Sequence, residues 1–399
     1  MMPATQTPWT IPADWPAPTD AARALSERLV ECIRAEIESS DGFISFARYM
    51  ALALYAPGLG YYSAGAHKIG AQGDFITAPE ISSLFARCIA RSCESVFDQI
   101  GEGDIVELGA GTGSLAAELL RELSVRGRLP RRYRILEPSA DLRERQKLYL
   151  QTTVPDCHER VEWLDAPPEE PWRGLLLANE VLDALPVEIF GWSSDAVINY
   201  GVSWSGDGFV WAQRSADAAL TAVVEHYAED YSWAQGYRSE INTTLTPWLH
   251  SVSENLQAGA ALFIDYGYAR HDYYRAERAQ GTLLCHYRHR AHADPFMLPG
   301  LQDITAQVDF TAVAEAAVAA GLSVSGFTTQ AHFLLDNGIE QLLAEDQPGM
   351  TASYLQQAAQ AKTLLLPGEM GERFKALLLL RDVQGTISGF GGRDLRNRL

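Results

Sequence analysis

The sequence has few cysteines, no long apolar run and no excess of basic residues. Its cysteines are odd in number and scattered along the chain: Cys32, Cys88, Cys93, Cys157 and Cys285. This distribution indicates neither a disulfide framework nor a zinc knuckle, and reduced thiols are typical of a cytoplasm. No segment approaches the roughly 18 uninterrupted apolar residues that a membrane-spanning helix requires. We therefore expect a cytoplasmic bacterial protein without a membrane segment.

Positive charge is scarce. The chain has 32 Lys and Arg against 51 Asp and Glu, a net charge of −19. Nucleic-acid binding requires clustered cations, so this balance argues against an open nucleic-acid surface and is compatible with a basic protein as substrate. The first 20 residues contain no Lys or Arg but five prolines. They match neither a secretory nor a mitochondrial leader, so we expect residues 1–21 to be a flexible tail.

The most informative stretch is DIVELGAGTGSLAAELLREL, residues 104–123. A short apolar run ends at Glu107, and three glycines follow at alternate positions: Gly109, Gly111 and Gly113. Leucines at helical spacing come next, with Ser114 predicted as the N-cap. This order predicts a strand, a glycine turn and a helix. Glycine lets the backbone adopt positive φ and lets a ligand approach closely.

The glycine spacing indicates the ligand. Dinucleotide folds use G-x-G-x-x-G to place a pyrophosphate at a helix N-terminus. Here the pattern is E-x-G-x-G-x-G, and Glu107 precedes the first glycine by two residues. An acid there suits the ammonium and sulfonium of S-adenosylmethionine (SAM) and suits a pyrophosphate poorly. The alternative is a tight turn that binds nothing.

Polar residues precede the glycine motif in a second candidate segment. Thr77, Pro79 and Glu80 lie just before a predicted helix over residues 82–97. Proline and an acid favour a first helical turn, so capping is one interpretation. The other is that this segment folds over the cofactor.

Two further acids follow predicted strands. Glu137 comes after Tyr133–Leu136, where a carboxylate can bind both ribose hydroxyls; the alternative is a cap for a helix over residues 139–150. Asp165 comes after Val161–Leu164 and is a candidate adenine contact. Because Ala-Pro-Pro follows it, Asp165 also suits a plain turn.

The fourth predicted strand contains Leu175, Leu176 and Leu177, and polar residues follow it. Ligands of open α/β sheets bind beyond the carboxyl ends of the strands. The candidate catalytic residues are therefore Asn179, Glu180 and Asp183. Paired carboxylates can fix a guanidinium bidentately and localise its charge. Capping of the following helix is the alternative.

Several stretches together resemble the MidA family of SAM-dependent methyltransferases, found in bacteria and, as a complex I assembly factor, in mitochondria. They are GDFITAPEIS, ELGAGTG, ANEVLDALPVE, GTLLCHYRHRAHADP, QDITAQVDFTA and EMGERFKALLL. The resemblance covers nearly everything after about residue 40. It implies methyl transfer from SAM to a nitrogen nucleophile, with a protein arginine as acceptor.

The expected fold is α/β: a Rossmann-like seven-stranded sheet with helices on both faces. A helical extension over residues 22–100 precedes a methyltransferase domain over 101–385, and 386–399 form a tail. A β-hairpin insertion is expected at about 195–240, and a helical segment at about 338–366. The extension and the insertion are expected to form a lid over the carboxyl edge of the sheet.

The segment 285–292 contains three histidines and a cysteine, which invites a metal interpretation. Its H-x2-H-x2-H spacing and two interspersed arginines argue against that, so no metal is expected. The resemblance implies a loop lining the substrate channel; a solvated basic loop is the alternative.

Two other functions remain open on the sequence. One is an assembly factor that binds SAM and a partner protein with little turnover. The other is a nicotinamide-dependent dehydrogenase, which the missing G-x-G-x-x-G disfavours. A protein substrate is the expected partner, and the chain is expected to be a monomer or homodimer.

Overall fold

The computed structural model describes residues 8–64, 76–193, 196–345 and 351–399. The Gly73-Asp74-Phe75 part of the GDFITAPE motif lies outside the described residues. The chain divides into two compact units. The first unit comprises Met1–Phe75, Asp183–Thr244 and His271–Gln307, and the second comprises Ile76–Leu182, Leu245–Arg270 and Val308–Leu399.

The helices in chain order are α1 (Asp20–Ser39), α2 (Phe46–Tyr55), α3 (Ala78–Ile81), α4 (Ser83–Ile100), α5 (Ser114–Val125), α6 (Ala140–Thr153), α7 (Ala218–Ala228), α8 (Leu245–Ser253), α9 (Arg270–Tyr273), α10 (Phe310–Ala319), α11 (Gln330–Asp336), α12 (Ile339–Glu345) and α13 (Ala352–Leu365). Short 3-10 helices cover His158–Arg160, Ala276–Arg278 and Arg396–Arg398.

The strands in chain order are β1 (Ile44–Ser45), β2 (Asp104–Leu108), β3 (Tyr133–Leu136), β4 (Val161–Leu164), β5 (Trp172–Asn179), β6 (Glu188–Trp192), β7 (Val197–Ser205), β8 (Gly208–Ser215), β9 (Arg238–Ile241), β10 (Leu256–Tyr268), β11 (Leu284–Tyr287), β12 (Arg290–His292), β13 (Asp303–Thr305), β14 (Val308–Asp309), β15 (Ser323–Thr329) and β16 (Phe374–Arg381).

The second unit contains the expected seven-stranded sheet. Its strand order is β15-β16-β10-β5-β2-β3-β4, and the two-residue β14 adds an eighth strand beside β10. Strands β10, β5, β2, β3 and β4 are parallel, whereas β16 is antiparallel to both neighbours. The order reverses beside β2, where such sheets bind ligands at the carboxyl ends of their strands.

Apolar side chains cover both faces of this sheet. On one face, Ile105, Leu175 and Leu262 are buried in a core that also contains residues of α4 and α5. On the other face, Trp248 of α8 packs against Phe263 with ring centroids 6.3 Å apart. Central strands buried on both sides explain why β5 carries consecutive leucines instead of an alternating pattern.

The first unit contains antiparallel sheets. One has the order β1-β7-β6-β9, with β8 beside β7, and the other has the order β12-β11-β13. Strands β7 and β8 form the predicted hairpin of the insertion. Helix α7 follows this hairpin and ends at Ala228.

The prediction of a loop over 285–292 is wrong, because the segment forms the β11–β12 hairpin. Arg288 and His289 form the turn with φ of +48° and +61°. Two-residue hairpin turns of type I′ require positive φ at both positions, and Asn-Gly usually signals them. Arginine and histidine rarely adopt positive φ, so this turn could not be predicted from the sequence.

Gly174 illustrates how tightly the central strands pack. It lies in β5 opposite Asp104 of β2 and Gly259 of β10. A Cβ on Gly174 would lie 1.8 Å from the carbonyl oxygen of Asp104, and one on Gly259 would lie 1.8 Å from that of Gly174. Both positions therefore admit only glycine.

We predict that Gly174→Ala lowers the free energy of unfolding by about 3 kcal/mol or more, through overpacking and an unfavourable φ. Urea denaturation followed by circular dichroism measures the loss. Gly368→Ala is the matched control, because a Cβ there meets nothing within 4 Å. Equal unfolding midpoints for the two variants would contradict this description of the sheet.

Candidate active site

The glycine turn between β2 and α5 adopts the conformation that its sequence suggested. Gly109, Gly111 and Gly113 have φ of +62°, +55° and +84°. The prediction of Ser114 as N-cap is wrong: Gly113 is the N-cap, in the left-handed conformation, and Ser114 is the first helical residue. Three positive φ values within five residues explain why glycine occupies these three positions.

The segment before α4 packs against the glycine turn. The Thr112 hydroxyl donates to Glu80 Oε1 at 3.0 Å, and the Ser114 hydroxyl donates to the Pro79 carbonyl at 3.3 Å. Thr77 is the N-cap of α3, but its side chain makes no capping hydrogen bond. The capping interpretation therefore fails for the Thr77 hydroxyl.

The two carboxylate oxygens of Glu80 differ in their hydrogen bonding. Its Oε2 is buried and has no hydrogen-bond partner within the described parts of the chain. Burial raises the pKa of Glu80, and the bond from Thr112 opposes that shift. A buried carboxylate oxygen without a donor favours an incoming cation or N–H group.

Glu107 is buried at the end of β2, with 2% of its surface exposed. The Tyr133 hydroxyl donates to Glu107 Oε2 at 2.7 Å. Burial raises the pKa of Glu107 to about 7; the Tyr133 hydrogen bond lowers it and the charge of Glu137 raises it. This carboxylate therefore titrates near neutral pH.

Glu137 is also buried, directly after β3. Its Oε1 accepts from the Ser139 backbone N–H at 3.0 Å, and its Oε2 accepts from Gln146 Nε2 at 3.3 Å. Burial raises its pKa, and these hydrogen bonds oppose the shift. The N-cap of α6 is Ser139, whose hydroxyl accepts from Leu142, so Glu137 is not that cap.

Gln146 is a residue that the sequence reasoning missed. Besides Glu137, its Nε2 donates to the Gly111 carbonyl at 2.9 Å, and its Oε1 accepts from Trp163 Nε1 at 2.8 Å. It is fully buried in a helix with few other buried residues. One amide therefore links the glycine turn, the acid after β3 and strand β4. Its spacing in the sequence carries no signal for this role.

Asp165 lies directly after β4, and 92% of its side chain is exposed. Arg143 Nη1 pairs with its Oδ1 at 2.7 Å, and Arg143 Nη2 donates to the Leu164 carbonyl at 2.7 Å. Unlike Glu107 and Glu137, this carboxylate is solvated and already has a cationic partner. It lies at the predicted strand end but is not buried with the other acids.

Three carboxylates thus accompany the glycine turn: those of Glu80, Glu107 and Glu137. These carboxylates fit a ligand with a cationic end and hydroxyl groups, since carboxylates accept hydrogen bonds from both. It would repel a pyrophosphate. The residues present therefore fit SAM and do not fit a dinucleotide.

The end of β5 has an unusual backbone. Glu180 has φ of +53°, which is uncommon outside glycine, and its N–H donates to the Ile264 carbonyl at 2.9 Å. Asn179 Nδ2 donates to Glu180 Oε1 at 3.1 Å. The structure therefore brings these two candidate catalytic side chains together.

Asp265 of β10 holds the chain that follows. Its Oδ2 accepts from the N–H groups of Val181 and Leu182 at 3.1 and 2.9 Å, and its Oδ1 accepts from Tyr266 N–H. The buried Asp265 carboxylate fixes the backbone directly after Asn179 and Glu180. Asp265 lies 84 residues after Val181, so sequence spacing gives no sign of this role.

Asp183 is the third candidate, and with it the chain enters the first unit. Only 6% of its surface is exposed, and its backbone carbonyl accepts from Ala306 N–H at 3.0 Å.

Other site types find no support within the described ranges. Among those residues, no group of three or more His, Cys, Asp or Glu side chains is arranged to hold a metal ion. The helices described there include none with the length and apolar character to cross a bilayer.

Residues 88–328 match a family described as S-adenosyl-L-methionine-dependent methyltransferases. The chain is 43% identical to a protein from Burkholderia thailandensis whose crystal structure contains S-adenosyl-homocysteine. That likeness covers 97% of this chain and 100% of the other, with a TM-score of 0.92. The cofactor is therefore SAM, and the nicotinamide alternative is wrong.

The curated relatives that the chain resembles are named as protein arginine methyltransferases. Protein arginine methyltransferase NDUFAF7, mitochondrial, of Rattus norvegicus is 30% identical over 89% of this chain and 85% of its own length. The Danio rerio protein of the same name is 29% identical over 92% and 90%. The chain belongs to the MidA family of SAM-dependent methyltransferases.

Proposed function

We propose that this enzyme transfers the methyl group of SAM to a guanidinium nitrogen of a protein arginine. The observation that carries the proposal is the end of β5, where a fixed backbone presents Asn179 and Glu180 shortly before Asp183. The names of the curated relatives support arginine as the acceptor.

We assign the cofactor to the second unit. The glycine turn lets the ligand approach the backbone closely. Glu137 binds the ribose hydroxyls, and Asp165 contacts the adenine. Glu80 and Glu107 supply negative charge for the cationic end, and Glu80 does so through its unpartnered oxygen. The full proposed set is Thr77, Pro79, Glu80, Glu107, Gly109, Gly111, Gly113, Glu137 and Asp165.

We assign the acceptor to the residues that follow β5. When bound, SAM supplies an electrophilic methyl group on a sulfonium leaving group, so no metal is needed. Glu180 and Asp183 bind the guanidinium and localise its charge on the nitrogen that is not methylated. The attacking nitrogen gains the methyl as the bond from that methyl to sulfur breaks, and one of its N–H protons passes to a neighbouring carboxylate or to water. Asn179 orients Glu180 through their hydrogen bond, and this positioning accounts for most of the acceleration.

The direct test uses methyl-labelled SAM and an extract of cells that lack this enzyme. Label on an arginine of an extract protein, mapped by mass spectrometry, is the expected result. Label on another residue type would contradict arginine as acceptor. Tight SAM binding with no labelled protein would favour an assembly factor with little turnover.

Two further proposals concern the setting of the enzyme. The acceptor is a protein, and the acidic chain suits a basic protein segment. The five cysteines are free thiols, which supports a reducing cytoplasm.

We predict that Glu137→Gln weakens SAM binding by about 1–3 kcal/mol, because charge-assisted bonds to the ribose are lost. Isothermal titration calorimetry measures the change. Glu144→Gln is the control: Glu144 lies on the exposed side of α6 and pairs with Lys147. An unchanged Kd for Glu137→Gln would show that residues other than Glu137 bind the ribose.

SAM affinity is expected to rise with pH through about 7. Free Glu107 is half protonated near pH 7, since its pKa is raised to about 7, and a cationic ligand favours the ionised form. Below that pH the affinity should fall by up to about tenfold per unit. Calorimetry from pH 5.5 to 8.5 measures this slope. Glu107→Gln should flatten it; a profile as steep as that of the wild type would exclude Glu107 as its source.

Asp183→Asn is expected to reduce methyl transfer by at least about 100-fold, since the guanidinium loses a charged partner. Its SAM Kd should stay within about twofold of the wild type, because the cofactor residues lie in the other unit. Asp207→Asn, in the exposed hairpin turn of the same unit, is the control. Equal transfer rates for the two variants would place the acceptor elsewhere.

A further inference from the structure

Gln146 is a buried polar residue to which the proposed function gives no role. It lies in α6 and has no exposed surface. Its side chain lies beside the glycine turn, since a Cβ placed on Gly113 would be 3.6 Å from Gln146 Cγ. A buried amide is costly unless it is hydrogen-bonded, so its partners indicate what it does there.

The orientation of the Gln146 amide follows from its three partners. An indole N–H can only donate, so the atom that lies 2.8 Å from Trp163 Nε1 must be the amide oxygen. The nitrogen then faces two acceptors, the Gly111 carbonyl at 2.9 Å and Glu137 Oε2 at 3.3 Å. Both amide protons are therefore in use, and a flipped amide would break all three hydrogen bonds.

This amide fixes one of the two carboxylate oxygens of Glu137. The Ser139 backbone N–H donates to Oε1 at 3.0 Å, and Gln146 donates to Oε2. The terminal torsion of a glutamate is soft, so a bond to one oxygen alone would let the carboxylate rotate. With one donor at each oxygen, the carboxylate is held in one plane. It can still accept two further hydrogen bonds, one at each oxygen.

The charged residues near Glu137 make other contacts. Arg143 Nε donates to the backbone carbonyl of Glu137, and Arg143 Nη1 pairs with Asp165. Lys147 lies over the Trp163 ring, 5.7 Å from its centroid. Glu107 has the same charge as Glu137 and cannot donate to it while both are ionised. Within the described chain, the side-chain donor to the Glu137 carboxylate is therefore a neutral amide.

The same nitrogen also holds the glycine turn. Gly111 is the middle glycine of the motif, and its carbonyl accepts from the nitrogen that holds Glu137. The turn and the carboxylate thus cannot move independently of each other while Gln146 keeps both bonds. This side chain sets the distance between the two parts of the cofactor site.

We propose that Gln146 is a positioning residue that orients the Glu137 carboxylate toward both ribose hydroxyls of SAM. It acts through Glu137 and contacts no reacting atom. The inference rests on the proposed function, which assigns Glu137 to the ribose. Two adjacent hydroxyls need both carboxylate oxygens in fixed positions, and this is the arrangement that the amide enforces.

The test measures the preference for ribose over 2′-deoxyribose. The probes are S-adenosyl-homocysteine and its 2′-deoxyribose analogue, and isothermal titration calorimetry gives a Kd for each. We expect the wild type to bind the ribose compound about tenfold or more tightly, because the analogue lacks a charge-assisted hydrogen bond to Glu137. The preference is a ratio of two Kd values for one variant, so a general weakening of the site cancels from it.

Gln146→Met is the main variant, because methionine fills a similar volume and donates no hydrogen bond. We expect its preference to fall to about threefold or less, since the carboxylate can turn away from the 2′-hydroxyl. Gln151→Met is the control: Gln151 is exposed on the same helix, so the wild-type preference should remain. A wild-type preference in Gln146→Met overturns the proposal.

Trp163→Phe gives a second measurement that does not require Gln146→Met to fold. It removes the donor that orients the amide and leaves Gln146 in place. The amide can then turn, and we expect the preference to fall at least about threefold. If circular dichroism shows that Gln146→Met is unfolded, an unchanged preference in Trp163→Phe overturns the proposal.

Glu137→Gln separates this inference from the proposed function. If the wild type shows no preference, or if Glu137→Gln keeps it, the ribose assignment in the proposed function fails. If Glu137→Gln loses the preference while Gln146→Met and Trp163→Phe keep it, only the role of Gln146 fails.

Discussion

The proposed cofactor site depends on the glycine turn between β2 and α5, where the lack of Cβ atoms at three positions lets a ligand approach the backbone. Gly109, Gly111 and Gly113 have positive φ at alternate positions and carry no Cβ atoms. Two side chains hold this turn in place: Gln146 binds the Gly111 carbonyl, and Glu80 accepts from Thr112. Ordering three glycines is costly in conformational entropy, and both contacts help to hold the turn in one conformation.

The buried carboxylates near the turn favour a ligand that carries positive charge. Burial raises the pKa of Glu80, Glu107 and Glu137, so each of these acids is less stable as an anion than it would be in water. A bound cation reverses that penalty, and in the proposed site SAM would supply that cation. If SAM binds as proposed, its binding and the ionisation of these carboxylates are linked.

Local pattern predicted much of this fold, and distant contacts account for what it missed. Strands Tyr133–Leu136 and Val161–Leu164 have the predicted bounds, because each is a short, mostly apolar stretch that an acid follows. Gln146 and Asp265 could not be assigned, since their partners lie 35 and 84 residues away. The β11–β12 hairpin was missed because its turn residues, Arg and His, are not those that normally adopt positive φ.

The most direct measurement of the central claim is a crystal structure of this chain with S-adenosyl-homocysteine. The account predicts that the amino-acid end lies over the backbone of Gly109–Gly113 and that both ribose hydroxyls lie within hydrogen-bond distance of the Glu137 carboxylate. A ribose bound by other residues, or a glycine turn covered by the protein's own side chains, would contradict it.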